Sequence, residues 1–520
     1  MLRSLLILGF SLCLSPFATA QEADSARPAD APTRPAEKDS AKIDEITPVA
    51  AEIEQRATSQ NTIQLAAGSP PLSYTVESAM MPMTDDTGKE LARIFHTYYH
   101  AKTEDNAARP LVFCFNGGPG ASSVWLHLGG IGPFRANTPD LGTGTSAAPF
   151  ELVANPHTLL RTADLVFVDP VSTGFSRGTD KKSAAGFHGF RQDISGNAAF
   201  IRRFIAHHKL WNRPIFLLGE SYGVIRVSAL AGKLSNEYGL RTNGLILVSG
   251  LLDFQTLRST ATNDLPYATF LPTYARTAIY HGVLKPENPE TLVEQARRFA
   301  ESEYVQALHA GRSIDPATRQ HITAELARFT GLPVDWIDRA DLRIDPSVFR
   351  GLLLREKRQQ IGRFDGRVTA PSPDPISPYA SGDPSFDVLS DAYSTLIHQY
   401  LTVTLGFEPN DHQHYRTLTS KVHPWSYAPY ENRFTEVIDS LNSTLQTNPK
   451  MRIFVAAGNY DLATPYEGIE HSLRRLRAPN DSTITHALYE GGHMMYSNPQ
   501  ALEKLGKSLR KFVTESLAQP

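Results

Sequence analysis

Gly219-Glu220-Ser221-Tyr222-Gly223 constrains this chain more than any other stretch. It directly follows the apolar run 215–218 and opens a helical pattern over 224–234. Glycines on both sides of a serine permit a tight, strained strand-to-helix turn that holds the hydroxyl out at a sheet edge. Such a turn needs a buried strand behind it and a helix packed on the sheet after it. Four further runs, 111–115, 164–169, 245–248 and 453–457, are apolar almost throughout. Strands that do not alternate are buried on both faces, as in a mostly parallel sheet covered by helices. Ile194, Ala198, Ile201 and Ile205 form one stripe of a helix over 190–210, which would supply part of that cover. The expectation is an α/β fold: a mostly parallel central sheet with helices on both faces.

The gap between the runs ending at Val248 and starting at Ile453 is too long for a plain crossover. It holds helical patterns over 289–303 and 385–405 and a loop over 370–384, so residues 254–435 read as an inserted cap. Residues 61–253 and 436–520 then form the main domain. The runs 72–78 and 90–99 flank Asp85-Asp-Thr-Gly-Lys89 and read as a hairpin. Residues 21–60 are rich in Ala, Pro, Glu, Asp, Lys and Ser and nearly free of aromatics, so they are expected to form a disordered tether.

Residues 1–20 have the build of a secretory signal: Arg3, an apolar run over 5–14, and Ala18-Thr19-Ala20 before Gln21. That run is too short to span a bilayer, and no later stretch is long and apolar enough. The expected protein is therefore exported, periplasmic or secreted, with no transmembrane segment. Loss of the leader removes Cys13 and leaves Cys114 alone, in an apolar run, as a buried inert thiol with no intrachain disulfide to form. With 51 Lys and Arg against 54 Asp and Glu, the formal net charge is −3, and no basic face invites nucleic acid. No feature specifies an oligomeric state.

A serine hydroxyl is a weak nucleophile until a base takes its proton, and an acid must hold that base in the right tautomer. Asp461 follows the run 453–457, and His493 follows a strand-like run over 483–489, in the order Ser, Asp, His. Asn116-Gly-Gly-Pro-Gly120 follows the run 111–115, and its glycines allow backbone N–H groups to approach a substrate. The N–H groups of Gly118 and Tyr222 are the expected oxyanion donors. The lysine and Ser/Thr ending of a phosphate loop are missing. His207-His208 and His412-Gln-His414 lack acidic or cysteine partners at metal spacing and read as surface histidines. No metal and no cofactor is expected.

Taken together, Asn116-Gly-Gly-Pro-Gly-Ala-Ser-Ser123, Gly219-Glu-Ser-Tyr-Gly223, Gly458-Asn-Tyr-Asp461 and Gly491-Gly-His-Met494 resemble the four signatures of the serine carboxypeptidase family, and the chain looks like a bacterial-type member. Asp169-Pro-Val-Ser-Thr-Gly-Phe-Ser176 resembles a further segment of it. The resemblance implies an α/β-hydrolase fold with a cap. It also implies removal of single residues from the free C-termini of peptides at acidic pH, with the substrate carboxylate bound by the residues matching Asn116, Gly117 and Glu220. A glutamate beside another carboxylate must share a proton with it, because two like charges in contact do not both stay ionised at low cost. Trp125 and Met494 are candidates for the substrate pocket and equally for the core. Three positions depart from the family pattern: Ala121 stands where many members carry a disulfide cysteine, Phe115 replaces a common tryptophan, and Gly130 stands in place of a second carboxylate-site glutamate. An esterase or acyltransferase using the same triad is the alternative activity, and a catalytically idle binding protein the alternative class.

Overall fold

The computed structural model describes residues 55–65, 70–102, 109–141, 147–410 and 413–518. The expected leader, Cys13, most of the expected tether and His412 lie outside the described residues. The main strands are β1 (Arg56–Ile63), β2 (Leu72–Thr84), β3 (Glu90–Ala101), β4 (Leu111–Phe115), β5 (Asp164–Val168), β6 (Ile215–Glu220), β7 (Gly244–Val248), β8 (Arg452–Gly458) and β9 (Ile484–Tyr489). Their spatial order is β1-β2-β3-β5-β4-β6-β7-β8-β9, and the two-residue strand Arg177–Gly178 pairs with β3. From β5 to β9 every pairing is parallel, while β1, β2 and β3 add an antiparallel edge. This is the α/β-hydrolase fold.

Alternate residues of the central strands feed two cores. Val112, Cys114, Phe167 and Leu218 pack on the face covered by Leu505, Leu509 and Phe512 of the helix Pro499–Leu517. Phe113, Phe115, Val166 and Leu217 pack on the opposite face, against α1 (Phe190–His208) and α2 (Tyr222–Tyr238). The stripe Ile194, Ala198, Ile201 and Ile205 is buried along its whole length. Burying each large aliphatic or aromatic side chain contributes about 1.5–3 kcal/mol, so covering both faces is what holds strands this short in place. Cys114 is free and fully buried, and burial pushes its thiol pKa far up.

Among the described residues between Val248 and Arg452, none adds a strand to this sheet. This segment forms the helices Leu265–Tyr280, Pro289–Phe299 and Pro316–Thr330 around a third core that includes Phe270, Tyr274, Leu326 and Phe329, and the helix Pro384–Gln399, whose Leu389, Tyr393, Leu396 and Ile397 join the sheet core of Val112 and Phe167. The side chains of Asn288, Asp315 and Asp383 cap three of these helices, each followed by proline at the first helical position.

Two expectations need correction. The tether was to run to residue 60, but β1 begins at Arg56 and pairs with β2 from Arg56↔Ala79 to Ile63↔Leu72. Its burial alternates as an edge strand's does, so backbone hydrogen bonds order it with few apolar residues. His208, expected at the surface, is partly buried against Glu77 of β2 and close to His96 of β3; helix α1 carries it onto the hairpin. No helix of the described residues is long and apolar enough to cross a membrane.

Candidate active site

Strand β6 ends at Glu220, and Ser221 turns the chain into α2 with φ 61° and ψ −126°. A non-glycine residue in that region is strained, and the fold must hold it there. Ser221 N–H donates to the Val248 carbonyl of β7 at 3.0 Å, and Val224 N–H donates back to the Ser221 carbonyl at 3.0 Å. A Cβ at Gly219 would lie 2.1 Å from the Gly223 carbonyl oxygen, so the turn closes only between two glycines.

Asp461 lies in the loop after β8 and is fully buried. Its Oδ1 accepts from the N–H groups of Ala463 (2.8 Å) and Thr464 (2.9 Å), and its Oδ2 lies 2.8 Å from His493 Nδ1. The Thr464 hydroxyl is 2.8 Å from the same Oδ2 and 2.9 Å from the Ser249 carbonyl. This arrangement places the histidine proton on Nδ1 and leaves Nε2 as an acceptor. From the insertion, Phe364 stacks on one face of the His493 ring with centroids 4.8 Å apart and an 11° interplanar angle. The Phe364 carbonyl also accepts from His493 N–H. Burial alone would lower the His493 pKa, but the charge and hydrogen bond of Asp461, with Glu220 behind them, hold it above its ordinary value.

Asn116, Gly117, Gly118, Trp125, Glu220, Ser221, Tyr222, His493 and Met494 all line one cavity of about 740 Å³. Asp461 sits behind His493, outside it. The insertion supplies much of the opposite wall, including Phe270, Ser347, Phe364, Phe386 and Leu418. Trp125 and Met494 are both buried and both face the cavity, and Trp125 packs on Tyr393 and Phe386 at centroid distances of 4.9 and 5.6 Å. Gly117 lies directly against the elbow: a Cβ there would sit 2.4 Å from the Tyr222 nitrogen and 2.9 Å from Ser221 Cβ. Asp169 anchors the glycine loop by accepting from Ser123 N–H at 2.8 Å and from its hydroxyl at 2.9 Å. The buried Arg226 of α2, paired with Asp193 at 2.7 Å, donates to the Asn116 carbonyl.

The sequence profile described as serine carboxypeptidase matches residues 81–507, more than half of the chain. The chain belongs to the serine carboxypeptidase family. Serine carboxypeptidase-like 45 of Arabidopsis thaliana is 32% identical over 170 residues, 31% of this chain and 34% of that relative. Serine carboxypeptidase-like 46 of the same plant is 31% identical over 169 residues, 31% of this chain and 33% of that relative. The pheromone-processing carboxypeptidase KEX1 of Zygosaccharomyces rouxii is 26% identical over 236 residues, 42% of this chain and 30% of that relative. The aligned stretches thus span about a third of these relatives' length.

In this serine carboxypeptidase family member, Gly130 leaves room for a group that sequence reasoning missed. Tyr496 packs over Gly129 and Gly130, where a Cβ on Gly130 would lie 2.9 Å from the Tyr496 Cβ. Its hydroxyl donates to Glu220 Oε2 at 2.8 Å. Where the family pattern led to the expectation of a missing carboxyl contact, the partner of Glu220 is instead a phenol. Burial pushes the Glu220 pKa up to about 7, with Asp461 adding to the rise, against the pull of His493 and of hydrogen bonds from Tyr496 and Asn116. Thr464 and Tyr496 each lie three residues beyond a residue read as catalytic, and that spacing was the available signal. Phe364 had none, being 129 positions from the histidine it supports.

Proposed function

We propose that this protein is a serine-type carboxypeptidase. Ser221 Oγ attacks the C-terminal peptide carbonyl while His493 Nε2 takes its proton; the oxyanion is held by the N–H groups of Gly118 and Tyr222. The C–N bond breaks as His493 returns the proton to the leaving amine, giving an acyl-enzyme, and water attacks that ester by the same route. The substrate's terminal carboxylate sits against the Asn116 side chain, Gly117 N–H and a protonated Glu220. Asn116 Oδ1 already accepts from Leu126 N–H at 3.0 Å, which turns its amide donors toward Glu220 and the cavity. Residues 254–435 act as the cap that shapes the side-chain pockets, and the chain works as an exported enzyme.

The observation that carries this reading is Glu220: a fully buried carboxyl beside the serine, with a pKa near 7, facing the cavity with Asn116. An ester or amide without a free carboxylate gives such a group nothing to bind. Productive binding needs Glu220 protonated and His493 neutral, and an incoming carboxylate favours placing the proton on Glu220. The sign follows: affinity for a free-acid substrate holds below about pH 7 and falls as Glu220 ionises above it.

The test compares Glu220→Gln with wild type on a blocked dipeptide and its C-terminal amide, as kcat/KM against pH. A glutamine amide donates at any pH and carries no charge, so the variant's KM for the free acid should be nearly flat from acidic to neutral pH while the wild-type KM climbs. The amide substrate should show no such difference. Parallel profiles on the free acid would move the esterase or acyltransferase reading to the front.

Tyr496→Phe tests the same site from the other side. Its hydroxyl stabilises the ionised carboxylate, so its removal should raise the Glu220 pKa and shift the alkaline rise of KM upward by about one pH unit. An unmoved limb in a folded variant would separate Tyr496 from Glu220's titration.

A further inference from the structure

Far from the catalytic residues in sequence, the hairpin and α1 bring together three ligand-type side chains that the activity does not use. Glu77 of β2 and His96 of β3 lie on one face of the hairpin, since His96 pairs with Ala79, two residues along from Glu77. His208 is the last residue of α1. Glu77 Oε1 is 3.5 Å from His208 Nε2 and 3.8 Å from His96 Nε2, and one ligand atom from each of the three residues lies within 4.8 Å of the others.

None of these atoms makes a hydrogen bond of ordinary geometry. Glu77 Oε1, both ring nitrogens of His96 and His208 Nε2 are buried without a hydrogen-bond partner. His96 itself is only 1% exposed. Buried polar groups ordinarily find well-formed partners, and these three meet only as ion pairs at 3.5 and 3.8 Å from Glu77 Oε1, a spacing that leaves room for an ion between them. Two oxygen or nitrogen ligands at about 2.0–2.2 Å from a tetrahedral ion stand on the order of 3.4 Å apart, close to the two separations observed here.

The geometry points to a zinc-type divalent metal site formed by Glu77, His96 and His208, an ion that staples the β2–β3 hairpin to the end of α1. Two imidazoles and one carboxylate are a zinc-type donor set. A cleft of about 270 Å³, lined also by Arg56, Arg202 and Arg203, reaches Glu77 and His96 and would admit an ion and a water as its fourth ligand. The rings are fixed from behind: His96 meets the edges of Phe200 and Phe204 at 5.3 and 5.4 Å, and His208 meets Phe204 and Tyr98 at 4.4 and 5.1 Å. The nearest cation, Arg56, faces the other Glu77 oxygen, Oε2, at 3.8 Å and holds His207 at 2.8 Å, which leaves Oε1 to the ion. The rival occupant of the cluster is a proton, pairing His208 as an imidazolium with Glu77.

Zinc and cobalt separate the two. The purified full chain, loaded with Zn²⁺ and desalted, should retain about one equivalent by elemental analysis, and Zn²⁺ should raise its melting temperature reversibly with chelator. Co²⁺ in its place should give the intense visible bands of a tetrahedral ion. Glu77→Gln and His208→Ala should lose the retained metal, whereas His321→Ala, an exposed histidine paired with Glu303 at 2.7 Å, should keep it. Wild type that retains no zinc, or Glu77 and His208 variants that retain as much as wild type, would overturn the site. If those variants fail to fold, the wild-type cobalt spectrum decides: tetrahedral bands support the site, and the weak spectrum of the hydrated ion refutes it.

Discussion

Ser221→Ala is expected to lower kcat on a blocked dipeptide by about 10⁶-fold, the scale of nucleophile loss in serine-protease triads. The loss is confined to chemistry. The Ser221 side chain makes no capping bond to α2, and the backbone bonds that hold the turn run through its N–H and carbonyl, which alanine keeps. Alanine adopts the positive φ with strain similar to serine's, so the elbow has no new reason to relax. The variant should therefore melt close to wild type and still bind a free-acid product, because Asn116 and Glu220 are untouched. Steady-state turnover and calorimetric binding on one preparation check both halves. Turnover near the wild-type rate would place the nucleophile elsewhere.

Asp461→Asn should cost about 10⁴-fold in kcat, and the reason is a tautomer rather than a charge alone. Oδ1 is pinned by the N–H groups of Ala463 and Thr464, so an asparagine would keep its oxygen there and turn its NH₂ toward His493. A donor at that place forces Nδ1 to accept, and the ring proton moves to Nε2. An imidazole protonated on Nε2 has no lone pair there to take the Ser221 proton. The loss should appear in kcat with KM little changed, and the two ring nitrogens can be told apart by ¹⁵N chemical shift in the labelled protein. Wild-type kcat in a folded Asp461→Asn variant would remove Asp461 from the mechanism.

The layers of this fold were legible because they rest on local chemistry. Unbroken apolar runs mark strands covered on both faces, and the glycines around Ser221 mark a turn that other residues cannot make. The candidate triad was legible for the same reason: Ser221, Asp461 and His493 each stand at a strand end and in order. What escaped depends on approach across the chain. Tyr496 reaches Glu220 only because Gly129 and Gly130 leave a hollow for its ring. Glu77, His96 and His208 are separated by 19 and 112 positions, so no motif spacing joins them. Strand β1 escaped because composition measures what a segment can bury. An edge strand needs a partner's backbone more than it needs apolar side chains.

The stretch 363–366 of the insertion is sewn to both loops that carry the histidine and its acid. The Arg363 carbonyl accepts from Leu462 N–H, the Phe364 carbonyl from His493 N–H, Asp365 Oδ2 from Gly492 N–H, and Gly366 N–H donates to the Tyr460 carbonyl. For protein engineering this means that the insertion is not an exchangeable cassette. A chimaera that takes its 254–435 segment from a relative in order to change selectivity also replaces the bench on which His493 rests. Grafts that carry over the native 363–366 should stay active, while whole-segment swaps should express, bind and turn over poorly even with every proposed catalytic side chain in place.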